Sequence, residues 1–148
     1  MNLTYYIQFN NCNLEEIVTI LKVCDKDFMP NLSSRVSIRQ YSKKILRHAQ
    51  TISMRHDGLL IGLLAIYCND VKNNKAYITS VCLLNKYRGI GLSKKLISEA
   101  FSLAKGMNFN TIEIEVGKAN LPALNLYKVF GFKKIIEKKQ TVVMKYEF

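Results

Sequence analysis

The chain has 148 residues, 49% of them apolar and 22% charged, which suits one compact domain spanning 1–148 with a full core. Its net charge is +11, from 22 basic and 11 acidic side chains, so anions are drawn to its surface. Ten basic residues against six acids precede position 86 and twelve against five follow from there; this general excess, without regular aromatic interleaving, argues for a basic surface that attracts a phosphorylated small molecule over a nucleic-acid binder.

The N-terminal residues 1–6 lack the basic start and apolar core of a signal peptide, and the expectation is a protein that is not exported. Residues 4–9 alternate as a short strand. Asn13 stands where an N-cap belongs, with Glu15 and Glu16 in the first turn of a helix reaching about Lys26 whose inner face is Ile17, Ile20, Leu21 and Cys24. The pattern lapses over 25–37 into an irregular loop. A second helix, 38–50, sets Tyr41, Ile45, Leu46 and Ala49 on one side and Lys43, Lys44 and Arg47 on the other. This loop and helix read equally as an active-site cover and as a surface connector.

Two strand-like runs, 51–55 and 59–68, flank His56-Asp57-Gly58, and Asp-Gly between such runs signals a hairpin. The longest nearly apolar run, 58–68, is far short of the ~20 residues a membrane helix needs, so it reads as a buried strand and no membrane partner is expected. A turn over 69–75 leads to a third antiparallel strand, 76–84. Lys86-Tyr87-Arg88-Gly89-Ile90-Gly91-Leu92 comes next, and it reads as an anion cradle. Gly89 and Gly91 allow a tight turn and close approach of backbone N–H groups to a ligand, and the helix over 90–107 adds the positive end of its dipole. Residues 111–116 form a strand with one apolar face and one acidic face carrying Glu113 and Glu115. A short helix, 121–130, starts behind Asn120 with Pro122 in its first turn and stops at Gly131, and runs 132–136 and 141–146 make a terminal hairpin. The order is β-α-α-β-β-β-α-β-α-β-β.

Two stretches resemble the GNAT superfamily of acyl-CoA-dependent N-acetyltransferases. One is the cradle, similar to the family's Gln/Arg-x-x-Gly-x-Gly/Ala, with Lys86 at the Gln/Arg place. The other is the run from Asn120 to Phe132, similar to Asn-x-x-Ala-x-x-Leu-Tyr-x-x-x-Gly-Phe through Asn120, Ala123, Leu126, Tyr127, Gly131 and Phe132. The resemblance covers essentially the whole chain. It implies a mixed α/β fold: a central, mostly antiparallel sheet of about seven strands flanked by four helices, with two strands splayed for the pantetheine arm of acetyl-CoA. By position it implies that Val81 offers its N–H to the thioester carbonyl and that Leu83 pairs with the pantetheine amides. Backbone N–H groups of Arg88, Gly89, Ile90, Gly91, Leu92 and Ser93 would hold the pyrophosphate, and Asn120 would bond the cofactor arm, cap its helix, or both.

Acetyl transfer to an amine needs a neutral nucleophile, a polarised carbonyl and a proton for the leaving thiolate. The resemblance gives Tyr127 the acid's role. Many members carry a basic carboxylate on the strand before the cradle, but this chain has Tyr77, Thr79 and Ser80 there. Glu115, twelve residues before Tyr127 as in enzymes acetylating ribosomal-protein N-termini, is the substitute base, with a solvated strand-face carboxylate as the alternative. His48 and His56 read as surface histidines. The cysteines at 12, 24, 68 and 82 match no metal spacing and read as reduced cytosolic thiols; no metal is expected, and P-loop and dinucleotide fingerprints are missing. The expectation is therefore a cytoplasmic N-acetyltransferase, one of a type in which homodimers are common. Arg35, Arg39, Lys43 and Lys44 on the acceptor side suggest a small anionic amine such as an amino sugar derivative. A protein N-terminus is the second candidate acceptor, and a non-catalytic acyl-CoA-binding module the rival from another class.

Overall fold

The computed structural model describes residues 3–148, so Met1 and Asn2 of the N-terminal reading lie outside it. Seven strands form one sheet: β1 (Tyr6–Phe9), β2 (Gln50–His56), β3 (Leu59–Asp70), β4 (Lys75–Leu83), β5 (Thr111–Gly117), β6 (Lys133–Glu137) and β7 (Thr141–Glu147). Their spatial order is β1-β2-β3-β4-β5-β7-β6, and every pairing is antiparallel except β4 with β5. Four helices flank the sheet: α1 (Leu14–Val23), α2 (Ile38–His48), α3 (Leu92–Gly106) and α4 (Leu121–Phe130). The expected architecture is thus present.

The ends of the elements follow local chemistry. Asn13 and Glu16 form a reciprocal capping box at the start of α1, with Asn13 Oδ1 accepting from the Glu16 N–H at 2.9 Å and Glu16 Oε1 from the Asn13 N–H at 3.1 Å. The helix stops at Val23, earlier than expected, and the chain tightens into a 3₁₀ turn at Asp25–Asp27. A second 3₁₀ turn, Leu32–Ser34, orders the segment read as an irregular loop, and the Asp25 carboxylate accepts from the Ser33 N–H at 2.7 Å and from its hydroxyl. Helix α2 ends at His48, and its inward stripe includes Ser42 rather than Leu46: Ser42 is fully buried, its hydroxyl donating to the Ile38 carbonyl, whereas Leu46 is 47% exposed. The stripe 38-41-42-45-49 is the one a 3.6-residue period dictates, and Leu46 falls just outside it.

The long apolar run of β3 is explained by burial on both faces. On one side Ile61, Leu64 and Ile66 join Ile52, Met54 and Ile78 against Leu96, Ile97, Ala100 and Ala104 of α3. Opposite, Leu60, Leu63 and Ala65 meet Ile17, Leu21 and Ile45 of the first two helices. A strand covered twice loses the alternation that a half-exposed strand keeps.

Candidate active site

The functional geometry begins where the sheet comes apart. β4 and β5 pair in parallel from Lys75↔Thr111 to Ile78↔Ile114 and no further, although β4 continues to Leu83 and β5 to Gly117. Immediately past the last pair, Ala65 faces Ser80 while Ile66 faces Ile78, leaving Thr79 as an extra residue without its own partner. Such a bulge adds local twist and bends β4 away from its neighbour. Tyr41 of α2 fastens it, its hydroxyl donating to the Thr79 carbonyl at 2.8 Å and lying 2.6 Å from Thr79 Oγ1.

The opened strands line a cavity of about 590 Å³. Val81, Leu83, Val116 and Gly117 belong to its strand walls, Asn120, Ala123 and Tyr127 to the α4 wall, Met29, Leu32 and Arg35 to the segment between α1 and α2, and Tyr41 to α2 itself. The loop and second helix therefore wall this cavity rather than only connecting neighbouring elements at the surface. Gly117 allows the loop's approach, because a Cβ there would lie 2.3 Å from the Met29 carbonyl oxygen. At the mouth of β4 the Leu84 N–H donates to Ile61 at 2.8 Å. Main-chain groups alternate sides along an antiparallel strand, so Leu83 and Val81 turn theirs toward the splay.

Residues 88–93 lie at the end of β4. Gly91 caps α3 at φ +85°, and Gly89 has φ +81°, both in the left-handed region where a Cβ is costly. Nothing lies within 4 Å of a Cβ built on either, so conformation rather than crowding calls for glycine here. The helix accordingly begins at Leu92, two residues later than its periodicity predicts. Ile90 is exposed, Leu92 is buried, and Ser93 lines the cavity. Arg88 uses its side chain inward: Nε and Nη2 donate to the Leu83 carbonyl at 2.9 and 2.8 Å, and Nη1 donates to Asp27 Oδ1 at 3.1 Å. One guanidinium thus ties the end of β4, the cradle and the first 3₁₀ turn together, an arrangement no local motif announced.

Tyr127 is 5% exposed, faces the cavity and meets Phe132 edge-on at 5.6 Å between ring centroids. Burial pushes its phenol above the ordinary value. Asn120 caps α4, its Oδ1 accepting from the Ala123 N–H at 3.4 Å, and also lines the cavity. Glu115 reaches the same cavity but is not free: Oε2 accepts from Thr141 Oγ1 at 2.7 Å and Oε1 from Lys138 Nζ at 3.1 Å. Partial burial raises its pKa, but the Thr141 and Lys138 hydrogen bonds outweigh that and hold it below the usual carboxylate range. Ser80 is 3% exposed, lines the cavity, and its hydroxyl has no partner among the described residues. His56 stands outside, its Nδ1 2.6 Å from the Thr4 carbonyl. Among the described residues no cluster of three or more His, Cys, Asp or Glu is placed to hold a metal ion, and no helix is long and apolar enough to cross a membrane.

A parallel pair that splays beyond a bulge, with a glycine-bent turn leading into α3 past its end, gives this cavity its shape. The chain belongs to the acetyltransferase (GNAT) family, whose sequence model matches residues 15–132. Among curated relatives it is 34% identical over 62 residues to an N-alpha-acetyltransferase of Sulfurisphaera tokodaii, a match covering 41% of this chain and 37% of that protein. Among solved structures, it resembles the PaiA N-acetyltransferase of Thermoplasma acidophilum in complex with coenzyme A, with a TM-score of 0.77, 19% identity, and 97% and 99% of the two chains covered. It also resembles the ribosomal-protein-S18-alanine N-acetyltransferase of Escherichia coli, with a TM-score of 0.79, 13% identity, and 97% and 94% covered.

Proposed function

We propose that the chain binds acetyl-CoA along the splayed strands and passes the acetyl group directly to a primary amine held in the same cleft, the favoured acceptor being a small amine that carries an acidic group. The observation that carries this reading is the end of β4–β5 pairing at Ile78 and Ile114 beside a cavity reaching from the cradle to Tyr127. Acetyl-CoA supplies an activated thioester; the chain's own groups do the rest. The N–H groups of residues 89–93 hold the diphosphate, reinforced by the dipole of α3; the Arg88 N–H, expected to join them, is instead donated to the Asn85 carbonyl at 3.2 Å. The Val81 N–H polarises the thioester carbonyl. Leu83 contributes through its N–H, since its carbonyl already accepts two donors from Arg88.

Tyr127 donates the proton to the departing sulfur. Its raised pKa keeps the phenol protonated throughout the neutral range, so the donor is in place as charge develops on sulfur; because a thiol has an ordinary value of about 8.5, the transfer runs uphill, and it is completed by solvent returning a proton to the phenolate. Glu115, ionised and already hydrogen-bonded, serves as the terminus of a water-mediated path from the ammonium, whose ordinary pKa is about 10.4. The buried hydroxyl of Ser80 is a further polar group able to orient that path.

The second reading is an acceptor that is the amino terminus of a protein. It is favoured by the curated relatives, which carry the name N-alpha-acetyltransferase but share only a 62-residue segment with the chain. Thiol release from acetyl-CoA, measured against matched anionic amines, neutral amines and short peptides, tests both. Faster turnover of anionic amines supports the first reading; faster turnover of neutral peptides replaces it with the second.

A further inference from the structure

Of the four cations expected on the acceptor side, one reaches the cleft without a partner. Arg39 is engaged by Glu15, with Nη1 and Nη2 donating at 2.9 and 3.2 Å. Lys44 sits 5.5 Å over the Tyr67 ring, and the exposed Lys43 does not line the cavity. Arg35 does line it, and among the described residues no carboxylate lies within ion-pair distance of its guanidinium. The two carboxylates that share the cavity are already compensated, Asp27 by Arg88 and Glu115 by Lys138. Arg35, itself exposed, therefore adds a positive charge without an ion-pair partner to the cavity wall, where a planar two-pronged donor matches a carboxylate or phosphate.

Its position along the cleft separates it from the cradle. The electrostatic neighbours of Arg35 are Tyr41, Tyr77 and Glu115. Tyr41 is fixed on Thr79, at the bulge where the strands part, whereas Asp27 is fixed by Arg88 at the cradle end. The other unpaired cation of the loop, Lys26, follows Asp25 in the 3₁₀ turn that Arg88 ties to the cradle. The segment presenting Arg35 is ordered by Ser33 on Asp25 and by Met29 against Gly117.

We propose that Arg35 is the specificity-determining residue for the acceptor: it holds a carboxylate or phosphate on the same small molecule whose amine is acetylated near Glu115 and Tyr127. This rests on the acetyl-transfer reading above. It narrows the acceptor to molecules whose amine and acid group both fit within one cleft, and it disfavours an uncharged peptide terminus.

The test is steady-state kinetics with matched probes: glucosamine 6-phosphate against glucosamine, and alanine against alaninamide, with acetyl-CoA saturating. The parent should prefer the acidic member of at least one pair. Arg35→Gln should raise the KM for that member tenfold or more and erase most of the preference, Arg35→Lys should restore part of it, and Lys43→Gln, a surface cation of equal charge, should leave it intact. Circular dichroism confirms that each variant is folded. An unchanged preference in Arg35→Gln overturns the assignment, as does equal loss in Lys43→Gln. Parent turnover confined to neutral amines or peptides also overturns it while leaving acetyl transfer standing. A parent that acetylates nothing, peptides included, overturns the acetyl-transfer reading itself.

Discussion

Single side chains carry the proposed chemistry, and their environments set what each can do. Tyr127 is buried, its pKa raised, and on the cavity wall, so removal of its hydroxyl should damage proton donation and little else. Tyr127→Phe is expected to lower kcat by roughly 10²-fold or more while changing acetyl-CoA affinity less than about threefold. Equal loss in both would mark the ring as a packing residue. Glu115 makes the complementary prediction. Its folded pKa is depressed, so it is ionised well below neutrality, and its contribution to stability is present above its unfolded pKa and lost as pH falls through the folded value. From about pH 6 to about pH 9, kcat/KM should therefore follow a single rising limb set by the amine acceptor, with no carboxylate ionisation in that window. A limb near pH 6 that vanishes in Glu115→Gln would contradict this. The pairing that depresses Glu115 joins β5 to the last hairpin through Thr141 and Lys138. The sequence offered the carboxylate without its partners, because they lie 26 and 23 residues away.

The elements show where local chemistry suffices and where it does not. Asn13 with Glu16, Asp57-Gly58 and Pro122 with Gly131 are short-range signals, and each marks the boundary it implies. The bulge at Thr79 carries no glycine or proline, and its cause is the mismatch between Ala65↔Ser80 and Ile66↔Ile78, a property of two strands together. The Arg88 staple likewise joins segments 61 residues apart. Gly117 is a case in between: the residue is visible, but its reason, the Met29 carbonyl, belongs to another part of the chain. Gly117→Ala should push the loop off β5 and destabilise the protein by about 1–3 kcal/mol, since the clashing atom is backbone and cannot rotate away. Chemical denaturation measures this, and a loss below about 0.5 kcal/mol would mean that the loop shifts freely.

At the scale of the molecule, the fold class was legible because it rests on periodicity and on a thirteen-residue motif, and the turn at 88–91 through Gly89 and Gly91, whereas the cavity end near Arg35 was not, because it is assembled from the segment before α2, α2, β4, β5 and the hairpin. Of Arg35, Arg39, Lys43 and Lys44, only the structure tells which cation faces the cleft. The net charge of +11 acts on this scale too. An anionic coenzyme approaching so basic a surface should associate faster at low salt, and its affinity should fall as ionic strength rises above about 0.1 M, where screening reaches about 10 Å. Stopped-flow association rates at several salt concentrations check this, and a flat response would confine the attraction to the cradle.

The most direct measurement is calorimetric titration of the purified protein with acetyl-CoA. The account predicts saturable one-to-one binding, weakened at least tenfold when the coenzyme lacks its diphosphate portion. Absence of binding, or equal affinity for acetyl-CoA and acetyl-pantetheine, would contradict the claim that the glycine-bent end of the splayed strands grips the coenzyme.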